Sequence, residues 1–194
     1  MTTTRHEITY QPLDQLQPHP ANPKDHDVGA VISSIHRFGI AGPIIVDQRT
    51  GYILAGHGRV KALKAIRDDG GTPPEGVTVA DDPDNAGEWV VPVMDSWASR
   101  TDYDAHAAMI ALNRTTELGG WDQTALVTLL DQLAEFDDLD GVGYDADDLD
   151  NLKYQLAQLD EYNEDDVGGF GGEIDIDDHK FDHRCPSCGF EFNE

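Results

Sequence analysis

The chain has 194 residues, room for one domain with a full core plus an appendage, and carries 13 Lys and Arg against 38 Asp and Glu, a formal charge of −25. The excess is uneven: residues 1–118 hold 10 basic and 16 acidic side chains, residues 119–194 hold 3 and 22. Such a surface repels nucleic acid at long range, so a DNA contact has to be local to the few basic residues or made through a partner protein. No run approaches membrane-span length and no charged-then-apolar leader opens the chain, which predicts a cytoplasmic protein without a membrane partner.

In chain order, Glu7 to Leu13 reads as a short edge strand ended by Pro12. Gln17 to Asp27, with Pro18, Pro20 and Pro23, reads as a loop. Asp27 can cap a helix whose apolar residues Val28, Val31, Ile32 and Ile35 recur at three and four, with Gly39 as its stop. Ile44-Ile45-Val46 is apolar enough for a buried strand, and Arg49-Thr50-Gly51 turns it back into Tyr52-Ile53-Leu54-Ala55, so a hairpin leads to Gly56-His57-Gly58. From Arg59 the apolar residues Val60, Leu63 and Ile66 return at helical spacing. Asp68 to Gly87 has the composition of a surface excursion, and Trp89 to Met94 reads as a strand placed at a sheet edge by Pro92.

From Thr101 the pattern is helical, with Tyr103, Ala107, Ile110 and Ala111 on one side. Gly119-Gly120 separates it from a second helix, capped by Asp122 and striped by Leu126, Leu129, Leu130, Leu133 and Phe136. Asp137 to Asp148 is an acidic link, and Leu149, Leu152, Leu156 and Leu159 mark a third helix. The expected organisation is an α/β domain over 1–118, an acidic helical segment over 119–160, a Gly-rich acidic linker over 161–178 and a small tail over 179–194.

The strand, glycine turn and helix around Gly56-His57-Gly58-Arg59 is the stretch with chemistry in it. Two glycines let backbone approach a ligand closely, unpaired N–H groups at a helix start attract an anion, and Arg59 adds a guanidinium that can hold a phosphate in two places. The competing reading is a turn with Arg59 on a solvated face.

The ordered set Asn22-Pro23-Lys24, Phe38-Gly39-Ile40, Pro43-Ile44-Ile45-Val46, Ile53 to Arg59, Val91-Pro92-Val93 and Leu112-Asn113-Arg114 resembles the ParB/sulfiredoxin superfamily, and more narrowly the small ParB-like nuclease-domain proteins of phages and mobile elements, often found near DNA methyltransferases. The resemblance implies a small mixed sheet with flanking helices over roughly residues 7–118. It implies phosphate contacts for Gly56, His57, Gly58 and Arg59, a second wall of the site at Asn113 and Arg114, and a loop near the ligand at Asn22 and Lys24. The nucleotide it implies is ATP or CTP, with magnesium as a companion. DNA, reached directly or through a partner, a DNA methyltransferase partner and a homodimer belong to the same expectation.

The chain departs from sulfiredoxins, whose reactive cysteine is replaced by His57, so sulfinic acid reduction lacks its nucleophile. It departs from partitioning proteins in having His57 for a glutamate, Gly58 for an arginine, and no acid before Asn113. His57, with an unperturbed pKa near about 6.5, is the candidate proton-transfer catalyst. Glu7, Asp25, Asp27 and Asp47 are available to a divalent metal, and Lys24 and His26 could close over a ligand. In the tail, Cys185-Pro186-Ser187-Cys188 is a zinc-knuckle spacing that His179 and His183 could complete. Three functions stay open: a nucleotide- or phosphate-binding protein of DNA metabolism, as a nuclease or an accessory to a modifying enzyme; a non-enzymatic acidic protein that binds a basic partner or mimics DNA; and a nucleotide-dependent phosphotransferase.

Overall fold

A computed structural model describes residues 5–136 and 138–166 and two short strands, 183–184 and 191–192. The elements are β1 (Thr9–Pro12), a 3-10 turn (Leu13–Gln15), β2 (Gln17–Pro18), α1 (Val28–Phe38), β3 (Ile44–Asp47), β4 (Tyr52–Ala55), α2 (His57–Asp68), β5 (Thr78–Val79), β6 (Trp89–Trp97), α3 (Asp102–Leu118), α4 (Gln123–Ala134), α5 (Ala146–Asp166), β7 (His183–Arg184) and β8 (Glu191–Phe192). Strands run in the order β1-β6-β3-β4-β2, with β5 also pairing β6. The sheet is mixed, because β6 with β3 and β4 with β2 are parallel while β1 with β6 and β3 with β4 are antiparallel.

Alternation along the central strands sends residues to two faces. Ile44, Val46, Ile53, Val91 and Val93 meet Ile35, Val60, Leu63 and Ile66 of α1 and α2 in the main core. Ile45 and Leu54 point the other way, to a smaller cluster with Ala105, Met109 and Trp97. The caps expected from sequence are present: Asp27 and Asp122 accept from Ala30 and Ala125 N–H at 2.9 Å, and Gly39 ends α1 at φ 65°.

Four expectations are corrected. β6 lies inside the sheet, not at its edge. Its ladder to β3 begins at Val93, so the missing N–H of Pro92 removes no bond on that side. Gln17 and Pro18, read as loop, pair in parallel with Tyr52 and Ile53 as an outermost strand, a place where proline is tolerated. The excursion from Asp68 is tied down, with β5 on β6, Val77 buried and Ile40 N–H donating to the Glu75 carbonyl at 2.8 Å. α3 buries Ala105 and Met109, leaving Tyr103 at 85% and Ile110 at 54% exposure. Both sides of α3 are apolar enough to be buried, and the small side chains of Ala105 and Ala108 let that face approach Leu54 more closely.

The chain divides into two compact units, Met1–Lys153 and Tyr154–Glu194. In the second, β7 pairs β8 in antiparallel register, His183 opposite Phe192. The zinc expectation falls outside the described residues: His179, Cys185 and Cys188 lie there entirely, and of His183 only the backbone is described. No described helix is long and apolar enough to cross a membrane.

Candidate functional site

The hairpin β3–β4 delivers the chain to Gly56, whose φ of 103° is open to glycine and strained for other residues. That turn starts α2, in which Val60 N–H donates to the Gly56 carbonyl at 3.0 Å. A Cβ at Gly56 would lie 2.7 Å from Ile44 Cδ1 and 3.3 Å from Arg59 Nη2; one at Gly42 would lie 3.2 Å from Arg59 Nη1. The guanidinium of Arg59 therefore threads between two glycines, and Nη1 donates to the Gly42 carbonyl. Gly56 makes room for the protein's own arginine, where sequence reasoning had it admit a ligand. Gly42 escaped that reasoning, although Gly42-Pro43 directly before a buried strand was its signal.

Arg59 is half-buried, and desolvation pulls its pKa below the ordinary value. Among the described residues it makes no ion pair, whereas Lys24, Arg37, Arg49, Lys64, Arg67, Arg100, Arg114 and Lys153 all do. It lines a cleft of about 510 Å³ between α1 and residues 141–143, in which it is the one charged side chain among the described residues.

The other expected site residues lie elsewhere. His57 is buried at 4% exposure, and its Nε2 accepts the backbone N–H of His19 at 3.1 Å, which leaves the ring proton on Nδ1. His19 Nδ1 in turn accepts Ala21 N–H at 3.1 Å, and its ring meets Tyr52 and His106 edge-on at 5.4 and 5.1 Å. The His26 ring stacks on His57 at 6.4 Å and covers Gly58, where a Cβ would come within 3.1 Å of it. His26, expected to close over a ligand, closes on the first turn of α2. Burial, with the neighbouring His26, His19 and Lys61, pushes the His57 pKa down to about 4, so the ring is neutral at pH 7.

Of Asn22, Lys24, Asn113 and Arg114, the two asparagines bond locally, while Lys24 and Arg114 meet through Glu117. Lys24 Nζ and Arg114 Nη1 approach its two carboxylate oxygens at 2.8 and 3.5 Å, Asn22 Oδ1 accepts Lys24 N–H at 3.4 Å, and Asn113 Nδ2 donates back to the Met109 carbonyl at 2.9 Å. The loop and the expected second wall are thus joined to each other, and neither lines the Arg59 cleft.

The acids offered for a metal do not assemble. Asp27 caps α1, and Asp47 is fully buried, accepting from Ser99 N–H and Oγ at 2.8 and 2.7 Å and from Thr50 Oγ1 at 2.8 Å. Among the described residues no three His, Cys, Asp or Glu side chains form a metal-binding group. Among the described residues no carboxylate lines the Arg59 cleft, so they do not fit magnesium there, whereas a guanidinium without an acid partner among them fits a phosphate.

No protein-family model matches the chain. It is 38% identical over 65 residues, 32% of its own length and 74% of the relative's, to the ParB-like nuclease domain-containing protein YnaK of Escherichia coli strain K12. Its fold is similar to that of the C-terminally truncated chromosome-partitioning protein ParB from Caulobacter crescentus, solved in complex with CTP-gamma-S. The TM-score is 0.53 at 17% identity, over 78% of this chain and 79% of that one.

Proposed function

The chain belongs to the ParB-like family, and from that premise we propose that it binds the phosphate groups of a nucleotide through Arg59 of the Gly56–Arg59 turn and acts in DNA metabolism. One observation carries the reading: in a chain with 38 acidic residues, a half-buried guanidinium faces a cleft with no carboxylate partner among the described residues. A cation left desolvated and unneutralised costs stability, and an incoming anion recovers that cost. The family relative is named for a nuclease domain and the structural neighbour holds a cytidine nucleotide analogue, and both support a phosphate-bearing ligand here. His57 acts in this proposal as a positioning residue, holding the 19–27 loop against α2 through its bond from His19.

The test is a thermal-shift panel of ATP, ADP, CTP, GTP and inorganic phosphate, with and without magnesium. A ligand specific to the native state raises the midpoint by linkage, by about 2.7 kcal/mol of stability at a hundred times its Kd. The rise is expected for at least one nucleotide and is expected to vanish in Arg59→Ala. A panel without any shift, or a shift retained in Arg59→Ala, overturns the reading. Incubation with plasmid DNA and added divalent metal then separates a nuclease, which nicks it, from an accessory protein, which does not.

A further inference from the structure

Resting on that reading, we infer that the uncharged body of the nucleotide lies between α1 and the strap formed by residues 138–143, so that this strap completes the ligand site. The strap is built onto α1 by specific chemistry. Arg37 Nη1 donates to the carbonyls of Asp138 and Asp140 at 2.9 and 2.5 Å, and Nη2 pairs with Asp138 Oδ2 at 2.7 Å. Gly141, at φ 72°, passes so close to α1 that a Cβ there would sit 2.8 Å from the Ser33 carbonyl and 3.2 Å from Arg37 Cβ. One arginine and one glycine thus fix the strap beside the cleft.

The cleft between them suits an anion with a flat, uncharged body. Its volume, about 510 Å³, lies within the usual small-molecule range of roughly 300–1,000 Å³. Val31 and Phe38 give it apolar surface, Ser34 offers a hydroxyl, the glycine backbone of 141 and 143 offers amide groups, and Arg59 supplies charge. A polyphosphate alone would engage the arginine and leave the apolar wall wet; a nucleoside attached to it covers that wall. Neither acid of the 138–143 strap lines the cleft: Arg37 holds the carboxylate of Asp138, and Asp140 is exposed.

Calorimetric titration of the full chain with ATP, CTP and inorganic tripolyphosphate, all without magnesium, tests this. Nucleotide is expected to bind at least about tenfold more tightly than tripolyphosphate. Ser34→Trp, which narrows the cleft beside α1, is expected to weaken nucleotide at least about tenfold. Arg37→Ala, which frees the strap, is expected to weaken nucleotide alone, and hydrogen exchange in wild type is expected to slow at residues 138–143 when nucleotide is added. Equal affinity for nucleotide and tripolyphosphate, or nucleotide affinity unmoved by both substitutions, overturns the strap site while leaving phosphate binding at Arg59 standing. Absence of binding by any of the three probes overturns both.

Discussion

The backbone N–H of His19 donates to Nε2 of His57 at 3.1 Å, joining the loop that follows β2 to the first residue of α2. This bond exists only while His57 is neutral, since a doubly protonated ring has no acceptor. His19 Nδ1 makes the same kind of bond to Ala21, and its pKa is likewise lowered, by burial first and by His106 next. Both rings therefore take up protons more readily in the unfolded chain.

Stability should accordingly fall as pH drops through the window from about 6.5, where an unfolded histidine begins to charge, toward the folded value of about 4 for His57. The unfolded state binds more protons there, so stability rises with pH and is complete above the unfolded pKa. His57 contributes on the order of 2 kcal/mol to this dependence. Urea midpoints between pH 7 and 5, above most carboxylate titration, should show it in wild type and show less of it in His57→Gln, whose amide oxygen can accept from His19 without titrating. An unchanged slope in the variant would assign the dependence to other groups.

Asp47 makes a prediction of the same sign in a more acidic window. Burial opposes its charge, but hydrogen bonds from Ser99, Thr50 and Arg49 outweigh burial and hold its pKa below the ordinary carboxylate value. Its contribution is present above the unfolded pKa and lost as pH falls through the folded one. Asp47→Ala strands the buried donors of Ser99 and the partly buried hydroxyl of Thr50, and a loss of about 2–4 kcal/mol is expected in chemical denaturation. Nucleotide affinity of the folded fraction should not change, because Asp47 does not line the Arg59 cleft.

At Gly56, alanine must both adopt φ near 103° and push against Ile44 Cδ1 at 2.7 Å and Arg59 Nη2 at 3.3 Å. We expect Gly56→Ala to cost about 1–3 kcal/mol and to weaken nucleotide binding by displacing the guanidinium. Gly51→Ala is the control: it has φ 73° but nothing within 4 Å of the added Cβ, so it should lose stability through backbone strain without losing ligand.

The orientation of α3 can be checked by a pair of substitutions. Met109 is 2% exposed against Leu54 and Ala105, and Met109→Ala is expected to cost about 2–4 kcal/mol. Ile110, more than half exposed, should tolerate alanine within about 0.5 kcal/mol. A larger cost at Ile110 than at Met109 would mean that α3 packs by the side that its sequence pattern first suggests.

Much of the architecture was legible in the residues because it comes from local chemistry. Asp27 and Asp122 can cap only the helices that begin directly after them, Gly39 can stop a helix at positive φ, and Ile44-Ile45-Val46 is too apolar to lie anywhere but inside. The ordered motifs around Gly56 and Arg59 likewise carried the family from sequence alone. Which of two apolar faces α3 buries, that Pro92 sits inside a sheet, and that Gly42 and Gly56 leave space for Arg59 were decided by contacts between residues far apart in the chain. Local patterns report a residue's preference for burial or turn; they do not report which surface arrives to meet it. So Arg59 was visible as a charge beside a glycine turn, and that no acid among the described residues pairs with it became visible only when the chain folded around it.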